Sequence, residues 1–263
     1  MPQRDEAGES DLPLSGILSD ALTEAIRQET KRSRAPAPNF RMSSMGHCPR
    51  KQVANRAGLE PVFPPKDHAV IKMWVGTALH KATQAKLEAC GFLDASWTER
   101  EVRHRSYVGH VDGLTRKLAG MEEYGPAIVE IKWTSDASVT KYDWPAHYEW
   151  QNMGCVLAAG LKRGLLYQVG REYGLDREKV VVLTDEWRTR LEDEISWMDG
   201  LWDIYSSKKL LPDCKHRFKW EDKTCEYRQE KQAEKGWNPH VQTETDRELS
   251  EFIDQPITKE KKA

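Results

Sequence analysis

The chain lacks a long apolar segment. Its 263 residues contain no apolar run that approaches the roughly 20 residues of a membrane-spanning helix. The first residues, MPQRDEAGESDLP, are acidic and lack the apolar stretch of a secretory signal. We therefore expect neither a membrane span nor secretion.

Cysteine is also scarce. The five cysteines are an odd, widely scattered set, which does not fit the disulfide framework of a small secreted protein. The expected compartment is therefore a reducing cytoplasm.

An excess of charge of one sign is missing as well. The formal net charge is only -2, although charged residues make up 31% of the chain. This balance neither favours nor excludes nucleic-acid binding, because a DNA-binding surface can be a local basic patch compensated by acidic residues elsewhere.

What the sequence does contain is a pair of predicted strands between Tyr107 and Ser135. The first ends in GHVDG with Asp112, and the second is AIVEIKW with Glu130 and Lys132. Because strand side chains alternate, Glu130 and Lys132 share one face of an otherwise apolar strand. Burying this pair is costly unless a metal ion or an anionic substrate compensates. If the strands are neighbours, Asp112 adds a second carboxylate and the three side chains suit a hard cation beside a phosphate.

Helical and strand patterns follow one another in the order helix, three strands, helix, two strands. This order predicts an α/β domain with a central mixed β-sheet flanked by helices, with helical extensions at both ends. We divide the chain into a flexible N-terminus with one amphipathic helix (1–38), a core with cysteine-containing ends (39–237) and a polar tail (238–263). The N-terminal helix is a candidate interface for a protein partner or a second copy, although packing on its own chain is the simpler expectation.

Two predicted helices carry further polar candidates, His80 on the helix from about 68 to 90 and Gln151 on the helix from 145 to 161. A lone histidine is more often a hydrogen-bonded structural residue than a ligand. Its place on an apolar helix before the two carboxylates makes His80 a candidate metal ligand.

Four motifs in this order, GTALH (76–80), GHVDG (109–113), VEIK (129–132) and Gln151, resemble those of the PD-(D/E)XK nuclease superfamily. The resemblance covers residues 43–227 and is to the RecB-like exonuclease branch, which includes stand-alone enzymes of phages and CRISPR systems. It implies a restriction-endonuclease-like core. The implied function is a metal-dependent DNA exonuclease in recombination, repair or phage DNA metabolism, in the cytoplasm of a bacterial or phage-infected cell.

The same resemblance assigns roles to residues. His80, Asp112 and Glu130 would be metal ligands, together with the carbonyl of Ile131. Lys132 would position the attacking water, and Gln151 would support the lysine and contact substrate. A mixed nitrogen and oxygen set admits Mn²⁺ as readily as Mg²⁺. The family's tyrosine four residues after the glutamine is replaced here by Cys155, so the last motif is half present.

Several RecB-like nucleases also hold an iron–sulfur cluster on four cysteines, and Cys48, Cys214 and Cys225 lie where such ligands would be expected. Three cysteines are one ligand short of the usual four. His47, His216 or Asp222 would complete a site, and a Cys₃His zinc site is chemically reasonable. The interpretation that we favour from the sequence is that the cluster has been lost. We expect Cys90 and Cys155 to be buried packing thiols.

DNA ends or single strands are the predicted partner. The expected phosphate contacts are Arg100, Arg103, His104, Arg105, Lys141, Arg50 and Lys51. Two other functions remain open. One is a DNA-binding or complex-forming module that keeps the nuclease fold with little activity, and the other is a sequence-specific endonuclease, for which the sequence shows no recognition element.

Overall fold

The computed structural model describes residues 17–32, 36–63, 67–116, 125–218, 221 and 225–227. Its helices are α1 (Ile17–Arg32), α2 (Pro49–Arg56), α3 (Asp67–Ala89), α4 (Asp136–Thr140), α5 (Ala146–Ala158) and α6 (Asp185–Lys208). Its strands are β1 (Phe40–Arg41), β2 (Arg100–His104), β3 (Tyr107–Val111), β4 (Gly113–Thr115), β5 (Ala127–Thr134), β6 (Arg163–Gly170) and β7 (Asp176–Val182). The whole of the predicted polar tail and the start of the predicted N-terminal helix lie outside the described residues.

The main sheet has the strand order β4-β5-β6-β7. β5 pairs parallel with β6 along its whole length, while β4 and β7 run antiparallel to their neighbours. The predicted mixed α/β architecture, with a central mixed sheet flanked by helices, is confirmed. A parallel pair needs a crossover connection, and α5 supplies it between β5 and β6.

A second, smaller sheet has the order β1-β3-β2. The first of the two strands predicted after Tyr107 therefore divides into β3 and β4, with Asp112 between them. The chain passes from one sheet to the other at this residue, so Asp112 lies at the junction of the two sheets.

The two faces of the main sheet bury separate apolar clusters. Ile128 belongs to the cluster that includes Met153 and Val156 of α5. Val129 and Ile131 belong to the other cluster, which includes Leu93 and the partly buried Leu87 of α3. Because β5 side chains alternate, the residues at 128, 130 and 132 face the α5 layer and those at 129, 131 and 133 face the α3 layer.

Helix α5 is seated on the sheet by a buried amide. Nδ2 of Asn152, which is fully buried, donates to the carbonyl of Ile128 at 3.2 Å. A Cβ atom at Gly164 of β6 would lie 1.6 Å from the Asn152 Oδ1 atom, so only glycine lets the helix approach this closely. The contact fixes the height and rotation of α5, and with them the direction of its neighbour Gln151.

Helix α6 covers the α5 layer through Leu191, Ile195, Met198 and Leu201, all buried in the same cluster as Met153. Thr184 caps this helix, its side chain accepting the backbone N–H of Trp187. Within the described part of the chain, no helix combines the length and the apolar character needed to cross a bilayer.

Candidate metal centre

Asp112 is held beside β5 by its side chain, which accepts a backbone N–H of that strand just beyond the last paired residue of β4. β4 pairs with β5 through Gly113 and Val129, and Asp112 is the next residue toward the sheet junction. Its Oδ2 atom accepts the backbone N–H of Ile131 at 2.6 Å, and its own carbonyl accepts the Nε2–H of Gln84 at 2.9 Å. The carboxylate is therefore fixed in direction, with Oδ1 turned toward α3.

Glu130 and Lys132 lie together on the face of β5 that is covered by α5. The Glu130 side chain is 1% exposed, and the Lys132 Nζ atom lies 2.5 Å from its Oε1 atom. Neither oxygen of Glu130 accepts a hydrogen bond of ordinary geometry from the described part of the chain. Such a carboxylate is costly to bury and is suited to a cation that is not a protein group.

The charges around this pair shift its ionisation. Burial, and after it the charge of Asp112, raises the pKa of Glu130 to about 7. Burial alone would lower the pKa of Lys132, but the charges of Glu130 and Asp112 outweigh it and raise that pKa above its ordinary value. Lys132 is thus a permanent cation, whereas Glu130 changes its charge near neutral pH.

Two side chains of helix α5 contact Lys132. Gln151 accepts a hydrogen bond from Lys132 through its Oε1 atom at 3.1 Å. The ring of Tyr148, one helical turn earlier, lies with its centroid 5.4 Å from the Lys132 Nζ atom. The sequence analysis overlooked Tyr148, although its spacing of three residues from Gln151 puts both on one face of the helix. Cys155, which takes the place of the family's tyrosine, is buried instead, and its Sγ atom lies against Gly109.

His80 reaches the site from α3, on the opposite side of the sheet. Its Nδ1 atom lies 3.2 Å from the carbonyl oxygen of Ile131, and its Nε2 atom lies 3.3 Å from Oδ1 of Asp112. Burial would lower the pKa of His80, but the hydrogen bond and charge of Asp112 outweigh it and raise that pKa. The imidazole therefore bridges two of the atoms that the sequence analysis assigned as metal ligands.

Glu99 is a further acidic group that the sequence analysis missed. Its carboxylate lies with the ligand atoms of His80 and Asp112 in a group whose members are all within 4.8 Å of one another. Gln84 holds it there, donating from Nε2 to Glu99 Oε1 at 3.1 Å. Glu99 has a φ of 53°, a conformation that costs a non-glycine residue about 1–3 kcal/mol. No motif marks this loop, so only the fold reveals the contact.

The donor set fits a hard divalent cation. The ligand atoms of His80, Glu99 and Asp112 lie within 4.8 Å of one another, and the Ile131 carbonyl lies 3.2 Å from His80 Nδ1. Glu130 is not a member of that compact group, but its pKa responds to the charge of Asp112. Oxygen-rich sets with one imidazole suit Mg²⁺ and Mn²⁺. The predicted residues form two neighbouring sets of contacts: His80 and Asp112 with the backbone of Ile131, and Glu130 with Lys132 and Gln151. That they bind one metal ion stays a prediction.

The predicted basic patch is different. Arg103 pairs with Glu101, His104 with Glu192, and Arg105 with Asp199. Acidic side chains on α6 and on β2 itself thus neutralise the strand that was expected to contact DNA. Arg50 donates to the carbonyls of Tyr227 and Pro212. Arg103 and Arg105 remain about half exposed despite these ion pairs. The DNA contacts expected of this set, with those of Arg100, Lys51 and Lys141, therefore stay predictions.

The positions of the cysteines agree only partly with the sequence-based prediction. Cys155 is buried as predicted, but Cys90 is exposed because it follows the last residue of α3. Cys48, Cys214 and Cys225 are not scattered in space: they come together with His216. His47 instead contacts Glu221, at 3.0 Å. Asp222, the other residue considered, lies outside the described residues.

No protein-family model matches the chain, and no curated protein matches its sequence. Similar solved structures include that of SSO0001, at 19% identity and a TM-score of 0.47, over 81% of this chain and 95% of that one. They also include the alkaline exonuclease LHK-Exo of Laribacter hongkongensis, alone and with dAMP, at 13% identity and a TM-score of 0.49, over 69% of this chain and 97% of that one. Because these TM-scores lie below 0.5, we base the functional interpretation on the geometry of the side chains.

Proposed function

We propose that the chain is a divalent-metal-dependent deoxyribonuclease, acting as an exonuclease on DNA ends or single strands. The observation that carries this proposal is the buried carboxylate of Glu130, whose neighbour in the described structure is the ammonium of Lys132, 2.5 Å from its Oε1 atom. A buried carboxylate can bind a metal ion through its second oxygen, and an ammonium next to a metal site is suited to a phosphate.

The proposed ligands of a catalytic Mg²⁺ or Mn²⁺ are Asp112, Glu130 and the carbonyl of Ile131, with His80 and Glu99 on the side of Asp112 that faces α3. When bound, the ion polarises the scissile phosphate and lowers the pKa of a coordinated water.

In this proposal Lys132 directs the attacking water and offsets the negative charge that develops on the phosphate. Gln151 and Tyr148 hold the lysine in place, and Asp112 stays fixed by its bond to the Ile131 N–H. The water loses a proton to solvent as its oxygen bonds to phosphorus. The bond from phosphorus to the 3′-oxygen breaks, and that oxygen takes a proton from solvent and leaves as a 3′-hydroxyl. The products are a 5′-phosphate and a 3′-hydroxyl, as the resemblance implies. A role in recombination, repair or phage DNA metabolism follows from the same resemblance.

The test is digestion of end-labelled linear duplex, single-stranded and closed circular DNA by the full chain, with Mg²⁺, with Mn²⁺ or with chelator. Lys132→Ala is compared with Lys162→Ala, a matched change at an exposed lysine on the turn before β6. We expect metal-dependent loss of linear DNA, sparing of circles, full activity in Lys162→Ala and none in Lys132→Ala.

Two results would overturn parts of this proposal. Cut circles would make the protein an endonuclease. If the wild-type protein bound DNA but degraded none of the substrates with either metal, the binding-module function would replace catalysis.

A further inference from the structure

A second group of metal-ligating side chains lies outside the proposed catalytic centre. The thiols of Cys48, Cys214 and Cys225 and one ring nitrogen of His216 all lie within 4.8 Å of one another. Cys48 is the residue just before α2, whereas the other three follow α6. The group therefore joins two segments that are distant in sequence.

The surroundings are those of an enclosed site. Cys48 is fully buried and Cys225 is 2% exposed, while Cys214 and His216 are half-buried. None of the five cysteines is in a disulfide, so no S–S bond accounts for the cluster. Among the described residues, the apolar side chains packed with it are Ala54, Tyr227 and the partly buried Leu211. This small core has little apolar area with which to hold the segment after α6 in place.

The spacing of the four donors suits one small ion. Zinc binds thiolate sulfur at about 2.3 Å and imidazole nitrogen at about 2.0 Å, in a tetrahedron whose corners are therefore about 3.3–3.8 Å apart. Four donors already within 4.8 Å of one another need to move by only about 1 Å to reach these distances.

The surrounding hydrogen bonds hold the ligands near this arrangement without the ion. Glu221, which is 1% exposed, accepts the backbone N–H of Cys48 at 3.0 Å through Oε1 and that of Phe218 through Oε2. The Tyr227 hydroxyl donates to the carbonyl of Leu59 at 2.8 Å. Such contacts around a metal site orient its ligands in advance.

We propose that this group binds one structural Zn²⁺ through Cys48, Cys214, His216 and Cys225. The ion links the segment after α6 to the start of α2. The resemblance implies an iron–sulfur cluster on four cysteines, and this donor set does not match it. Three thiolates and one imidazole are instead a common closed zinc set. With four protein ligands the ion keeps no open position, so it stabilises the fold and takes no part in hydrolysis. The assignment does not depend on the proposed nuclease activity.

The test begins with untagged full chain purified without chelator, analysed for zinc, iron and acid-labile sulfide. We expect one zinc per chain and no visible absorption from an iron–sulfur cluster. Replacement by Co²⁺ should give the intense visible spectrum of a tetrahedral site with thiolate ligands. Cys225→Ser and His216→Ala should lose the ion, whereas Cys90→Ser, which changes an exposed thiol elsewhere, should retain it.

The wild-type protein supplies a measurement that does not depend on the folding of the ligand variants. Removal of the ion with a strong chelator should lower the thermal midpoint by about 5–10 °C, and added Zn²⁺ should restore it. Iron with stoichiometric sulfide would overturn the choice of zinc. A protein that holds no metal after growth and refolding with Zn²⁺, with an unchanged midpoint on chelation, would overturn the site itself.

Discussion

The carboxylate of Asp112 accepts the backbone N–H of Ile131 at 2.6 Å, and this bond crosses the junction between the two sheets. One oxygen of the aspartate thus completes the hydrogen bonding of β5, while the other is directed to His80. The Asp112 side chain thus has two roles: it stabilises the fold through the Ile131 N–H, and it contributes a charge to the proposed metal centre. A substitution can remove one role and keep the other.

Asp112→Asn should separate them. The amide oxygen still accepts the Ile131 N–H, but the charge that would hold a metal is lost. We expect activity to fall by at least about 100-fold, equivalent to about 2.7 kcal/mol of transition-state stabilisation, with the thermal midpoint nearly unchanged. Asp112→Ala should in addition leave the buried N–H without an acceptor, at a cost of about 1–3 kcal/mol in the free energy of unfolding. Rate measurements and chemical denaturation of both variants check this; equal stability losses would contradict it.

Glu99→Gln tests the residue that the sequence analysis missed. If its carboxylate contributes to the metal centre, the Mg²⁺ concentration for half-maximal activity should rise by at least about tenfold, the lower end for groups that support a metal. Glu101→Gln is the matched control, because Glu101 is exposed and pairs with Arg103 instead. A metal titration of both variants gives the answer, and identical curves would remove Glu99 from the site.

Gln151→Leu removes the hydrogen-bond acceptor of Lys132 while keeping a side chain of similar size. Because a small displacement of a catalytic group is costly, we expect kcat to fall by about 10- to 100-fold with little change in KM. Tyr148→Phe keeps the ring beside the ammonium and should be nearly silent. The control on the same helix is Glu149→Gln, which breaks the pair with Lys179. A Gln151→Leu enzyme as fast as this control would show that the lysine does not need the amide.

Metal binding should weaken as the pH falls through neutrality. The pKa of Glu130 is raised to about 7, so the carboxylate is charged above that pH and protonated below it. Between pH 8 and pH 6 the charged fraction of such a group falls about tenfold, and the apparent metal affinity should fall with it. The raised pKa of His80 acts in the same direction, because an imidazolium is no ligand. Calorimetric titration at several pH values measures this; a constant affinity would contradict it.

The sequence predicted those parts of the site that follow from strand periodicity. The shared face of Glu130 and Lys132 needs only the alternation of side chains along β5. To place Asp112 beside Glu130 requires one further assumption, that the strand of Asp112 pairs with β5. The pairing of Gly113 with Val129 confirms that assumption. The class of fold followed in the same way from the order of elements.

What the sequence did not reveal depends on loops and on distant contacts. Glu99 reaches His80 only because its loop adopts a positive φ and Gln84 holds the carboxylate. His216 was one of three residues able to complete the cysteine group, and only the path of the chain after α6 distinguishes it. Likewise, the acids of α6 that neutralise Arg105 lie about 90 residues away in sequence, as the separation of 94 between Arg105 and Asp199 illustrates.

His80 approaches from one face of the sheet and Lys132 points to the other. The proposed catalytic centre therefore cannot form from one short segment of the chain. The strands and their junction supply Asp112, Glu130 and the Ile131 carbonyl, but His80 comes from α3, and the residues that hold Lys132 beside Glu130 come from α5. During folding, metal affinity should therefore emerge late and in a single step, once α3, β5 and α5 are all in place. Conversely, the bound ion would connect both helical layers to the sheet. It should therefore lower the rate of global unfolding of the domain, with no selective protection of one segment.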